Sequence, residues 1–153
     1  MNSKFKFLAL AIFMIFFNLQ TKASSVLLPM DDEGQQNHLK AYGITYWALA
    51  KSYKVNWLLN YRGGSFLLPD GDDIRKECQI RGVSFEVLTD GATAAILEEI
   101  SSPSQNMETV VLEKAPKIAV YTPKGKQPWD DAVTMVLTYA EIPYTEIYDE
   151  EVL

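Results

Sequence analysis

The chain has 153 residues, 48% of them hydrophobic, and carries a net charge of −6 with one cysteine and one histidine. That length suits one domain with a sizeable core. An acidic chain without a basic patch is a poor partner for nucleic acid or an anionic membrane surface, and one histidine with one cysteine gives no paired zinc ligands.

Met1–Ser24 reads as a secretory signal. Lys4 and Lys6 form its positive start, Phe7–Phe17 is uninterruptedly apolar, and Thr21-Lys22-Ala23 places small residues where a signal peptidase reads them. Cleavage after Ala23 leaves 130 residues and, with three lysines gone, a net charge of −9. The apolar run falls short of the roughly 20 residues that a membrane span needs. No cysteine follows it to take a lipid. The expectation is an exported protein, periplasmic or secreted, that meets the membrane only through residues 1–23 before cleavage.

Val26–Leu28 is the first expected strand, followed by Met30-Asp31-Asp32. Asn37–Tyr53 is an expected helix with Leu39, Tyr42, Tyr46, Ala50 and Tyr53 on one face and Ile44, Trp47 and Ala48 on the other. A helix apolar all round is covered on two sides. Its aromatic density suits a core, a domain interface or a stacking platform. Val55–Tyr61 and Ser65–Leu68 are strands separated by Arg62-Gly63-Gly64, read either as a hairpin turn or as a bulge in one strand. Asp72–Arg81 is a helix closed by Gly82, and Val83–Leu88 alternates like a strand. Asp90 is the expected cap of a helix over Ala92–Ile100. Ser101–Asn106, polar and proline-bearing, is the expected boundary between a region 24–106 and a region 107–153.

The second region is organised around Lys117–Asp149. Ile118–Tyr121 is a short apolar strand ended by Thr122 and Pro123. Pro128 stands at a first helical position, with Asp130 and Asp131 in the first turn where the helix dipole favours carboxylates. Trp129, Ala132, Val133, Val136, Leu137 and Ala140 make one apolar helix face, Pro143 stops the helix, and Tyr144–Tyr148 is a second strand. A strand–helix–strand crossover of this kind is right-handed and parallel.

Few residues invite chemistry. Arg62, Gly63 and Gly64 are a candidate anion site through one guanidinium and two flexible backbone amides. Lys124 and Lys126, in the loop before the last helix, are a second candidate, although PKGKQP has no phosphate-loop glycine spacing. Cys78, in KECQI, lacks the small flanking residues of a nucleophile elbow. His38 stands near Asp31, Asp32 and Glu33 without a second histidine, so helix-start electrostatics explain the acids. No catalytic, cofactor-binding or metal-ligating residue is assigned.

The segments LLPMDD (27–32), NHLKAYGITYW (37–47), WLLNYRGGSFLLP (57–69) and EKAPKIAVYTPKGKQPWDDAVTMVLTYAEIPY (113–144) resemble the N-terminal part of an exported Bacteroidetes family commonly labelled asparagine synthetase B. The resemblance implies a three-layer α/β fold with a mostly parallel sheet, flavodoxin-like in the manner of class I glutamine amidotransferases, and incomplete at its C-terminus. It implies a catalytic cysteine and histidine further along the family's chain, so the missing C-terminal part of the same protein is the expected partner. Asn2 follows Met1 where glutamine-hydrolysing asparagine synthetases expose a cysteine, and no pyrophosphatase loop occurs. The alternative is an exported noncatalytic binding or interaction module with a small-molecule ligand.

Overall fold

The structure, a computed structural model, describes residues 23–121 and 132–148. In chain order these form β1 (Ala23–Leu28), α1 (His38–Ala50), β2 (Val55–Leu59), β3 (Phe66–Pro69), α2 (Asp72–Arg81), β4 (Glu86–Thr89), α3 (Asp90–Ser101), β5 (Glu108–Leu112), β6 (Ala119–Tyr121), α4 (Ala132–Ala140) and β7 (Thr145–Ile147).

The first five strands form one sheet in the order β4-β1-β3-β2-β5, and every neighbouring pair is antiparallel. This corrects the expected mostly parallel, flavodoxin-like sheet. The apolar run Val26–Leu28 forms the expected first strand and is buried on both faces. Burial on both faces requires only that helices cover both sides, and helices can cover an antiparallel sheet as well as a parallel one. The Arg62-Gly63-Gly64 turn joins β2 to β3 as a true hairpin, with Trp57 opposite Phe66, so the single bulged strand is not what forms.

Side-chain alternation divides the core between the two faces. Val26, Leu28, Val55, Phe66 and Leu68 meet Ile44 and Ala48 of α1 and Ile74 and Cys78 of α2. Leu27, Leu58 and Leu67 turn the other way and meet Ile96, Leu97 and Ile100 of α3. Asn37 caps α1 by accepting from the Lys40 N–H at 3.4 Å. Gly82 closes α2 in the left-handed region, and the Val83 N–H bonds back to the Cys78 carbonyl at 2.9 Å. The cap of α3 is Thr89, whose hydroxyl accepts from the Ala92 N–H at 3.2 Å; the expected cap, Asp90, is already in the first turn. Beyond Ser101–Asn106 the chain returns to the same sheet as β5.

β6 and β7 pair in parallel, with Ala119, Val120 and Tyr121 opposite Thr145, Glu146 and Ile147. That agrees with the strand–helix–strand reading of residues 118–148. The orientation of α4 does not. Thr134 and Ala140 are its buried residues, while Val133 and Val136, expected on the inner face, are exposed. α4 docks on α1 through the backbone approach of Gly43 to Ala140, and only small residues permit it. Trp129 and the proposed helix start at Pro128 lie outside the described residues.

Candidate functional site

An aromatic cleft of about 660 Å³ opens between α1, the β5 end of the sheet and the segment that leads to β6. Tyr42 and Tyr46, one helical turn apart on α1, form one wall. Trp57 and Phe66, opposed across the hairpin, form the floor, and Leu112 and Ile118 close the far side. Trp57 stacks on Phe66 at 6.2 Å between centroids and 21° between planes, and Tyr42 meets the Phe66 ring edge-on at 5.6 Å. These are the offset and T-shaped geometries that ring quadrupoles favour.

Hydrogen bonds outside the rings hold this wall in place. The Trp57 Nε1–H donates to the Gly64 carbonyl at 3.1 Å, so the hairpin turn sets the indole angle. The Tyr46 hydroxyl donates to the Pro116 carbonyl at 3.0 Å and ties α1 to the segment before β6. Thr45 spends its hydroxyl on the Ala41 carbonyl within its own helix. Several polar groups on the lining thus have internal partners, and what faces the cleft is mainly ring face and aliphatic carbon. Such a cleft can hold a flat apolar molecule by stacking and dispersion. At its rim Glu113 pairs with Lys54 at 3.0 Å.

The proposed anion-binding turn is placed differently. Asn60, Arg62, Gly63 and Gly64 all have positive φ, from 44° to 90°. Gly63 is needed there twice over, since a Cβ would also overlap the Met30 carbonyl. The Arg62 guanidinium faces carboxylates. Its Nε donates to Asp31 Oδ2 at 2.8 Å and its Nη1 to Glu86 Oε1 at 2.7 Å. One cation between two carboxylates presents a net negative environment, which disfavours an incoming anion. The structure therefore brings Arg62, Gly63 and Gly64 together as a knot that fastens the hairpin to the loop after β1. Lys124 and Lys126 lie outside the described residues.

The knot has a pH signature. Its hydrogen bond to Arg62 holds the Asp31 carboxyl below its ordinary 3.8, against the upward pull of burial. A carboxyl depressed in the folded state stabilises the fold above its unfolded pKa, and that stabilisation is lost as pH falls through the lower folded value. Arg62→Met should therefore destabilise the protein at neutral pH, and the gap to wild type should narrow as pH drops below about 4. Urea titrations at pH 7 and in acid check this; a gap that does not change with pH would remove Asp31 from the account.

Cys78 is fully buried on the inner face of α2. Burial, then the neighbouring Glu77 charge, pushes its thiol up to about 12, opposite to what a nucleophilic thiolate needs. His38 Nε2 lies 3.2 Å from the Met30 carbonyl and 3.8 Å from the Asp32 carboxylate. Among the described residues no three histidine, cysteine or carboxylate side chains converge as a metal site would require. Sequence reasoning found the tyrosines of α1 as a possible platform but missed Trp57 and Phe66. The spacing gave no direct signal: Trp57 stands five residues before Arg62 and Phe66 two after Gly64, and only the hairpin register sets the two opposite each other. No family model, no curated protein and no solved structure matches this chain.

Proposed function

We propose that the chain is a noncatalytic, exported binding module whose cleft takes a flat, apolar small molecule. The preformed wall of Tyr42, Phe66 and Trp57 carries this reading, because the rings hold stacking geometry with an open cavity before them. The sealed Cys78 thiol supports the noncatalytic part. With Trp47 and Trp129 replaced by phenylalanine, Trp57 is a lone fluorescent reporter. Titration with a naphthalene sulfonate should quench it saturably. Tyr42→Ala, at an exposed position, should weaken the apparent affinity about tenfold, the equivalent of one aromatic contact of roughly 1.4 kcal/mol. A linear, unsaturable quench would sink the proposal.

The parallel β6–α4–β7 unit favours a second reading, in which this chain is the N-terminal part of an asparagine synthetase B-like exported protein and a C-terminal part supplies the chemistry. A two-stranded parallel pair is normally extended by further strands. The reading frame beyond codon 153 decides this. A glycine-flanked cysteine elbow with a later histidine supports it; an immediate stop codon removes it.

A further inference from the structure

We infer that the chain self-associates through β5, two copies pairing this edge strand antiparallel across a two-fold axis so that two five-stranded sheets join as one. β5 ends the sheet order, and its outer edge has no strand partner among the described residues. An edge of free N–H and C=O groups is a template for another strand, and proteins that avoid pairing usually blunt it with short strands, charges, prolines or bulges. The other edge shows such devices. β4 is four residues long, its ladder to β1 shifts register between Ala23 and Ser25, and Glu86 lies on it. β5 carries one charge, Glu108 at its first position, and past it residues 109–112 hold no charge, proline or bulge. Its five residues, ETVVL, pair in unbroken register with β2 from Val55–Leu112 to Leu59–Glu108. Val111 is nevertheless 53% exposed.

The strand is complementary to itself, which points to a second copy as the occupant. Full antiparallel overlap of residues 108–112 centres on Val110. Val110 of one copy then stands opposite Val110 of the other, Thr109 opposite Val111, and Glu108 opposite Leu112. No charge faces a like charge, although the whole chain carries −6. β-branched pairs fill the middle, the combination that stabilises antiparallel neighbours. The contact is isologous and closes on itself as a dimer. A single five-residue strand pair with its flanking side chains is a small interface, so the dimer is a weak one.

Sedimentation velocity of the purified chain over rising micromolar concentration tests this. The weight-average mass should climb from one copy towards two. Val111→Lys should hold it at one copy with an unchanged near-UV spectrum, and Val87→Lys on the β4 edge should leave the rise intact. Val110→Cys places the two sulfurs face to face at the axis and should give a disulfide-linked dimer under mild oxidation, which Val87→Cys should not. A chain that stays monomeric with no cross-link at position 110 overturns the inference. So does self-association that Val111→Lys leaves untouched.

Discussion

Gln35→Leu should lower the melting temperature by roughly 10 °C, from the loss of about 3 kcal/mol of stability. Gln35 is 1% exposed and uses both ends of its amide. Its Nε2 donates to the Ser84 carbonyl at 3.2 Å and the Pro29 carbonyl at 3.4 Å, and its Oε1 accepts from the N–H groups of Ser84 and Asn37, each at 3.2 Å. One side chain thereby satisfies the end of β1, the start of α1 and the strand-like segment before β4. Leucine nearly matches its volume, so the cavity contribution is small and the polar contribution stands alone. Each lost bond costs about 1 kcal/mol net, more where the stranded backbone group stays dry. Gln35→Glu separates this from packing. At neutral pH its carboxylate faces two carbonyl oxygens and should be at least as damaging. Mild acid should recover part of the loss, measured against wild type at the same pH, because the protonated acid regains a donor. A shift under about 3 °C for the leucine variant would mean that the loop stands without Gln35.

Gln35 also shows where legibility ends. Nothing marks it in the segment DDEGQQNH, where Gln36 next to it is exposed. Its partners at Ser84 are 49 residues away, and only the fold brings them close. Local signals were readable: the first strand at Val26–Leu28, the Gly82 cap and the parallel pairing of β6 with β7, while the glycines at Arg62-Gly63-Gly64 allowed the hairpin as one of two readings. Strand direction in the main sheet was not, because a run such as VLL reports burial on two faces and carries no sign for its neighbours' direction. The cleft was half readable. Tyr42 and Tyr46 declared an aromatic surface, but its floor depends on the Trp57–Phe66 register. Arg62 looked like an anion ligand because its acids, Asp31 and Glu86, are distant in sequence. The inner face of α4 was misjudged for a related reason. Helical periodicity locates a stripe, but here a glycine on another helix decides which side of α4 docks.

Gly43→Ala should detach α4 and leave the five-stranded sheet standing. Gly43 lies within α1, where alanine has the better helix propensity by about 1 kcal/mol, so a local argument predicts stabilisation. The tertiary geometry opposes it. A Cβ at Gly43 would overlap the Ala140 carbonyl oxygen and lie 3.0 Å from its carbonyl carbon. Both are backbone atoms, so no rotamer relieves the clash and one helix has to move. α1 is the costlier one to shift. Its opposite side buries Ala41, Ile44, Ala48 and Leu49, and full burial of each of the two larger side chains contributes roughly 2 kcal/mol. α4 buries only Thr134 and Ala140 among its described side chains. Its ties also include charged groups: Glu141, held at φ 59°, bonds Lys40 and approaches Arg81 Nε at 3.3 Å, and Lys40 Nζ stands 5.0 Å over the Tyr139 ring. Pairs that reach solvent in this way resist displacement weakly. α4 therefore yields. Hydrogen exchange should show amides of α4, β6 and β7 exchanging about a hundredfold faster, an opening cheaper by roughly 2.7 kcal/mol, while those of β1, β2 and β3 change little. Equal acceleration across the sheet would mean that α1 moved instead, and that the β6–α4–β7 unit is bound into the main core more firmly than its buried side chains indicate.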